Sequence, residues 1–277
     1  MKKTRKKTLL IVYRLILVGM IIYGAIGIYR ILSEVNAGKA KFDSGVEAIR
    51  PALTDPSMRV ESLQLVNPDI AGWIIVEGTE IDFPILMDME LNARIIEIFK
   101  NGGDLGDIRR GSDKPISEIL YKYLYYDYAG RPSVTGSIVA DVRCKADLSG
   151  SYVMVYGHNV GWKGVMFSDL EEFKKPEFYE QHKTAVLFSA AGREDLELVI
   201  CANISGYSEE VFDLNKLHKE EGFDTAAAIR ALAKASMYPL DAPVPEDLSR
   251  CILLSTCFSA QHPEDPARLV LLYRVKN

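Results

Sequence analysis

Three short apolar runs in the second half of the chain each adjoin a side chain with a reactive or charged functional group. The runs are rich in Val, Ile, Leu and Tyr, as is typical of buried strands, and cover residues 152–156, 252–254 and 269–273. His158 follows the first run, Cys257 follows the second, and Arg268 precedes the third. Because a strand that ends at a polar residue reaches the surface there, the pattern predicts strand ends that offer an imidazole, a thiol and a guanidinium.

Other stretches of the chain also alternate between strand-like runs and turns. Residues 73–76 and 81–83 read as strands, and residues 184–188 and 196–201 flank a polar turn at 191–195, which predicts a hairpin. Helices are predicted at 167–173, at 177–181 and from a cap at Asp224 to Ala235. Since turns rather than regular crossover helices separate the strands, the pattern favours a mostly antiparallel β-barrel with added helices over a doubly wound sheet.

Two segments between these strands are harder to interpret. Residues 91–99 have helical apolar spacing, and the surrounding segment 88–117 is predicted to be a surface insertion, with an ordinary element of the fold as the alternative. Five tyrosines lie between residues 121 and 128. Alternating tyrosines on a half-buried strand usually serve packing, which is the interpretation that we favour over a wall of a substrate groove.

The N-terminus has the composition of a membrane anchor. Lysines and arginines at positions 2–7 precede the largely apolar residues 9–29, long enough to span a bilayer with the basic flank in the cytoplasm. Arg14 lies near the cytoplasmic end, where its side chain can reach the headgroups. A cleaved signal peptide is the alternative. We therefore expect a basic flank and anchor at 1–30, a stalk and helical region at 31–60, and an extracellular catalytic domain at 61–277.

Composition excludes several classes of function. The 277 residues are 48% apolar, enough for a sizeable core, and the net charge of −5 comes from interspersed acids and bases, so no nucleic-acid partner is expected. No C-x-x-C motif is present and the other histidines are scattered, so we predict neither a metal nor a cofactor. Pairing of Cys144 with Cys201 stays open, whereas Cys251 and Cys257 lie too far apart on one strand to bridge each other.

The residue types themselves allow either a structural or a catalytic interpretation. A free cysteine is often a small core residue and a lone histidine is often structural. In the catalytic interpretation Cys257 attacks a carbonyl as a thiolate, Arg268 stabilises the oxyanion and His158 exchanges protons with the amine. Arg274 lies on the same strand face about 20 Å further along, so we favour Arg268.

The sequence around these residues resembles the sortases, and more narrowly class B. The resemblance is carried by Tyr156-Gly157-His158-Asn159, by Met166-Phe167-Ser168-Asp169-Leu170 and by Leu254-Ser255-Thr256-Cys257 with the later Arg268. It extends to Asn67-Pro68-Asp69-Ile70-Ala71-Gly72-Trp73-Ile74, Gly78-Thr79-Glu80-Ile81-Asp82-Phe83-Pro84, Tyr123-Leu124-Tyr125-Tyr126-Asp127, Gly136-Ser137-Ile138 and Pro176-Glu177-Phe178-Tyr179. The chain departs from the family at Leu253, where Thr is common, at 88–117, and in the prolines between Cys257 and Arg268.

The resemblance implies a sortase-like barrel and a defined reaction. A class B sortase of a Gram-positive bacterium would cleave the C-terminal sorting signal of a surface protein, similar to Asn-Pro-x-Thr, after its Thr. A thioacyl intermediate on Cys257 would then pass to an amine of a peptidoglycan precursor or of a pilin. Thr256, Ser255 and Asn159 are the residues we expect to bind substrate. The alternatives from other classes are a catalytically idle binding module and a cysteine hydrolase.

Overall fold

The computed structural model describes residues 12–33, 36, 60–109, 113–218, 222–240, 249–257 and 266–276, apart from the side chains of Ser117 and Cys257. The predicted stalk at 31–60 falls mostly outside these residues. So does most of the segment between Cys257 and Arg268, including Pro263 but not Pro266.

Eight strands form a closed barrel in the described part of the chain. They are β1 (Ile70–Val76), β2 (Asp82–Leu86), β3 (Ile138–Ala140), β4 (Tyr152–Gly157), β5 (Thr184–Ser189), β6 (Gly192–Ser205), β7 (Cys251–Cys257) and β8 (Ala267–Val275). Around the barrel the order is β1-β2-β3-β4-β7-β8-β6-β5. Only the β2–β3 and β4–β7 pairs are parallel. The predicted mostly antiparallel barrel is therefore confirmed.

Helices decorate the barrel between and before its strands. They are α1 (Val12–Ser33), α2 (Val60–Gln64), α3 (Met89–Lys100), α4 (Leu105–Arg109), α5 (Ile116–Leu120), α6 (Pro176–Gln181), α7 (Glu209–Phe212) and α8 (Thr225–Lys234). Single 3₁₀ helices cover Lys122–Leu124, Ser168–Lys174 and Leu214–His218. The predicted cap is confirmed, because the Asp224 side chain accepts a 2.8 Å hydrogen bond from the Ala227 amide. The predicted hairpin is the antiparallel pair β5–β6.

Strand β7 lies at the centre of the fold. Residues 251–256 are all buried, and successive side chains of a strand point to opposite faces, so both faces of β7 are covered. This explains why 252–254 read as a continuous apolar run rather than an alternating one. The burial holds the end of β7 in a fixed place relative to its neighbours β4 and β8.

Segment 88–117 is integrated into the fold rather than lying only on its surface. Helix α3 buries Leu91, Ile95 and Phe99 against the barrel. The buried Asn92 amide donates to the carbonyls of Val142 and Cys144, at 2.7 and 2.8 Å. The surface prediction is therefore wrong for the inner face of α3, and the segment also contains the short helix α4.

The tyrosine-rich segment does not form the predicted strand. Lys122–Leu124 is a 3₁₀ helix, and backbone carbonyls within and just after it accept hydrogen bonds from the loop at 133–137. There the Ser137 amide donates to the Tyr123 carbonyl at 2.8 Å, and the Ser133 amide donates to the Tyr125 carbonyl at 3.0 Å. These loop contacts replace a strand ladder, which the spacing of the tyrosines alone does not show.

Helix α1 is the one described helix that is long and apolar enough to cross a membrane. Its 22 residues correspond to about 33 Å of helix, which matches the hydrocarbon core of a bilayer. None of its apolar stretch is buried against the rest of the protein. Length and composition alone are also satisfied by a signal sequence, so α1 is a candidate membrane span.

Candidate active site

The register of three neighbouring strands brings Cys257, His158 and Arg268 together at one end of the barrel. Gly157 of β4 pairs with Thr256 of β7 in parallel, so His158 and Cys257 each follow by one residue at the same end. In the antiparallel pair β7–β8, Cys257 lies directly opposite Arg268. Residues opposite each other have Cα atoms about 4.5–5.5 Å apart, so the Cys257 backbone lies between the two basic residues.

The His158 ring is oriented by a backbone carbonyl. Its Nε2 atom lies 2.8 Å from the carbonyl oxygen of Leu124, in the 3₁₀ helix. A carbonyl oxygen can only accept a hydrogen bond, so Nε2 carries a proton and donates. The ring of Tyr125 adds an edge contact, with its centroid 6.4 Å from that of the imidazole. His158 as a whole residue is half-buried.

Arg268 is half-buried and packs against the turn that follows β6. A side-chain carbon at Gly206 would lie only 3.1 Å from the Arg268 Nε atom and 2.7 Å from the carbonyl oxygen of Pro266. The Gly206 amide donates to that same carbonyl at 2.8 Å. Glycine at position 206 thus permits the close approach of this turn to the N-terminal end of β8.

Arg274 lies far from this strand end. It is opposite Cys251 at the other end of β7 and forms a 2.7 Å ion pair with Glu197. Six residues of extended chain separate Arg274 from Arg268, which corresponds to about 20 Å. Arg268 is therefore the β8 arginine beside Cys257.

Of the three predicted substrate-binding residues, Ser255 and Thr256 are buried in the fold, and Asn159 is hydrogen-bonded to neighbouring residues. Ser255 and Thr256 are 1% and 0% exposed on β7, and the Ser255 hydroxyl has no hydrogen-bond partner among the described residues. The Asn159 amide donates to Glu171 at 3.0 Å, and its oxygen accepts from the Gly161 amide at 2.9 Å. Asn159 therefore shapes the loop after His158.

A buried polar cluster around Asp141 was not predicted from the sequence. Asp141 is 0% exposed and Arg143 is 5% exposed, and their side chains form two hydrogen bonds of 2.7 and 2.6 Å. The hydroxyls of Tyr121 and Tyr156 each lie 3.3 Å from the same Asp141 oxygen. The available sequence signal is a pair of opposite charges, Asp141 and Arg143, directly after the apolar run 138–140.

The charges in this cluster stabilise each other. Burial alone would raise the pKa of Asp141, but the charge and hydrogen bonds of Arg143 outweigh it and lower that pKa below its ordinary value. Burial alone would lower the pKa of Arg143, but Asp141 raises it. Burial also raises the pKa of Tyr156 well above its ordinary value, so this hydroxyl stays protonated.

Comparisons with known proteins place the chain among enzymes with this barrel. No family model matches. The chain is 25% identical over 198 residues to sortase B of Staphylococcus aureus, which covers 70% of this chain and 69% of that protein. It is 25% identical over 200 residues to sortase B of Listeria monocytogenes, with 72% and 66% covered. The chain is a homologue of the class B sortases. A solved structure of S. aureus sortase B complexed with MTSET superposes with a TM-score of 0.62 at 21% identity, covering 86% of this chain and 87% of that one.

Sortase homology indicates a cysteine transpeptidase, which needs one reactive thiol. Cys144, Cys201 and Cys251 are free and buried, so Cys144 and Cys201 do not form a disulfide. Burial raises the pKa of each of these three buried cysteines to about 12, which keeps them as unreactive thiols. They therefore do not compete with a thiol at the end of β7.

No group of three or more His, Cys, Asp or Glu side chains within the described ranges could hold a metal ion.

Proposed function

We propose that the protein is a membrane-anchored transpeptidase that cleaves an Asn-Pro-x-Thr-like C-terminal sorting signal of surface proteins and transfers them to a cell-wall peptide amine. The main support is the register at the end of β7, where Cys257 lies opposite Arg268 and beside the residue that follows β4, His158. Similarity to sortase B from two species supports the same reaction class.

Cys257 is the proposed nucleophile. Its thiolate attacks the carbonyl carbon of the signal's Thr, and the carbonyl electrons move onto oxygen to give a tetrahedral oxyanion. An ordinary thiol with a pKa near 8.5 is only slightly ionised at neutral pH, so neighbouring cations favour the reactive form. His158 and Arg268 supply that positive charge at the two strands that flank β7.

Arg268 is the proposed partner of the oxyanion. An arginine side chain stays protonated at physiological pH and presents a rigid set of N–H donors to a carbonyl oxygen. Its interaction strengthens as negative charge develops on that oxygen, which lowers the barrier rather than only binding the substrate.

His158 is the proposed general acid and then general base. As the tetrahedral intermediate collapses, the C–N bond breaks and the leaving amine takes a proton from the imidazolium, which leaves a thioester on Cys257. An incoming amine then attacks this thioester, gives a proton to His158 and displaces the thiolate. Protons and electrons balance over the two half-reactions, and no cofactor is needed.

Thr256, Ser255 and Asn159 are proposed to act on the substrate through the shape of the site. The buried Ser255 and Thr256 fix the end of β7 that carries Cys257, and Asn159 orders the loop beside His158. Exposed aromatic side chains near the strand ends, Tyr125 and Trp162, are available to contact a bound peptide.

Helix α1 is the proposed membrane anchor, with the basic N-terminal flank in the cytoplasm and the barrel outside the cell. Its length and the absence of burial against the barrel suit this role. A sortase acts on secreted proteins at the cell envelope, which requires the barrel to lie on the outer side.

Product analysis tests the reaction type. The full-length protein in detergent micelles is incubated with an Asn-Pro-x-Thr peptide, with and without an added amine, and the products are separated by chromatography and mass spectrometry. We expect a ligated product that requires the amine and Cys257, with faster ligation to a peptidoglycan-type peptide than to a pilin-type lysine peptide. Hydrolysis that the amine does not divert would indicate a hydrolase, and binding without turnover would indicate a binding module.

A further inference from the structure

The buried polar cluster joins the two segments that meet at His158. Tyr156 belongs to β4 and lies two residues before His158, whereas Tyr121 directly precedes the 3₁₀ helix that contains Leu124. Both hydroxyls lie 3.3 Å from one oxygen of Asp141, and their rings pack edge to face with centroids 5.1 Å apart. The cluster therefore fixes the distance between the strand that precedes His158 and the Leu124 carbonyl that accepts the hydrogen bond of its ring.

Arg143 stabilises the charge at the centre of this cluster. It forms two hydrogen bonds to Asp141, a third of 3.1 Å to the Tyr121 hydroxyl and a fourth of 3.2 Å to Asn215. A buried carboxylate without such a partner would lose much of its charge by protonation. The guanidinium thus keeps Asp141 as an acceptor for both tyrosine hydroxyls.

The Leu124 carbonyl also packs closely against the loop that contains Gly136. Gly136 has a φ of +60°, a conformation that favours glycine, and a side-chain carbon there would lie 2.2 Å from the Leu124 oxygen. The neighbouring Ser137 amide donates to the Tyr123 carbonyl at 2.8 Å. The direction of the Leu124 carbonyl therefore depends on two independent sets of contacts.

We propose that Tyr121, Tyr156 and Gly136 are positioning residues that aim the Leu124 carbonyl at His158 and so hold a proton on its Nε2 atom. The proposal rests on the proposed function, because it assigns proton exchange with the substrate amine to the other ring nitrogen, Nδ1.

The chemistry follows from the two forms of the ring. A neutral imidazole has one N–H and one acceptor nitrogen, and the carbonyl selects the form with the hydrogen on Nε2. In the charged ring both nitrogens carry a proton, and the Nε2 proton stays on Nε2, where it is donated in a hydrogen bond to the Leu124 carbonyl. Nδ1 then gives its proton to the leaving amine and accepts one from the incoming amine. A neutral ring with the hydrogen on Nδ1 could not accept a proton at that nitrogen in the second step.

Nitrogen NMR of histidine tests this proposal without relying on activity. The full-length protein is labelled with ¹⁵N-histidine in detergent micelles, and long-range ¹H–¹⁵N correlations distinguish the two neutral tautomers. The His158 signals are assigned by their loss in His158→Gln. We expect the neutral form of wild-type His158 to carry its proton on Nε2, and the neutral ring in the double variant Tyr121→Phe/Tyr156→Phe to show a mixture of tautomers with kcat reduced at least tenfold.

Tyr152→Phe is the matched control. It removes a buried hydroxyl from the same strand, where Tyr152 donates to the Val211 carbonyl at 3.0 Å, away from the cluster. We expect it to keep the Nε2 tautomer and wild-type kcat even if it lowers thermal stability. The proposal is overturned if wild-type His158 carries its proton on Nδ1, or if a folded double variant keeps both the tautomer and kcat. If no thioacyl adduct forms while the tautomers behave as expected, the proposed function fails and the positioning of the ring stands.

Discussion

Replacement of Arg268 by methionine should remove the main stabilisation of the oxyanion while leaving the barrel folded. Arg268 lies directly opposite Cys257, so its charge can approach the oxygen that develops next to the sulfur. Two unit charges about 4 Å apart interact by about 4 kcal/mol at an effective dielectric constant of about 20. At about 1.4 kcal/mol for each factor of ten, the expected loss in kcat is about a thousandfold. Arg268→Lys keeps a charge without the rigid donors and should lose about ten- to a hundredfold.

Arg274→Met is the matched control on the same strand. It removes an arginine of equal charge and breaks a half-exposed ion pair to Glu197, for which we expect a stability loss of at most about 1 kcal/mol. Initial rates of cleavage of an Asn-Pro-x-Thr peptide at saturating concentration give kcat, and circular dichroism confirms folding. The reasoning is refuted if Arg268→Met keeps kcat within threefold of wild type, or if Arg274→Met loses as much.

Three further predictions concern stability and thiol reactivity. Asn92→Ala removes two buried hydrogen bonds and should destabilise the fold by about 2–3 kcal/mol in urea unfolding. Glu97→Ala, at an exposed position of the same helix, should change stability by at most about 0.5 kcal/mol. Equal effects of the two variants would contradict the integration of α3 into the fold. Because folding lowers the pKa of Asp141, its contribution to stability is present above the ordinary value of 3.8 and is lost as pH falls through the lower folded value. Unfolding curves should show this loss as pH falls below 3.8, and Asp141→Asn should flatten it. A thiol reagent at neutral pH should label the native protein once, at Cys257, and the unfolded protein four times. Labelling of the native Cys257→Ala variant would contradict the burial of the other three thiols.

The strands of the barrel could be predicted because buried strands are recognisable in the sequence as short apolar runs. Residues 252–254 read as a buried strand because both faces of β7 are covered, and Asp224 was recognisable as a helix cap. The sequence also indicated that Cys257, His158 and Arg268 lie at the ends of strands. It did not show that β4 runs parallel to β7, which is what places His158 at the same end.

The support of His158 could not be predicted for a physical reason. Its hydrogen-bond acceptor is a backbone carbonyl, and any residue type at position 124 would offer one. The tyrosine spacing suggested a strand, because a 3₁₀ helix held by backbone contacts to a glycine-containing loop has no comparable periodicity. The Asp141–Arg143 pair depends on contacts with distant segments, and only the position of two charges beside an apolar run hinted at burial.

The measurement that tests the account most directly is the intact mass of the full-length protein during turnover of an Asn-Pro-x-Thr peptide, followed by peptide mapping of any adduct. The account predicts a thioester-linked acyl group on Cys257 that disappears when an amine is added and never forms in Cys257→Ala. An acyl group on another residue, or full turnover by the Cys257→Ala variant, would contradict it.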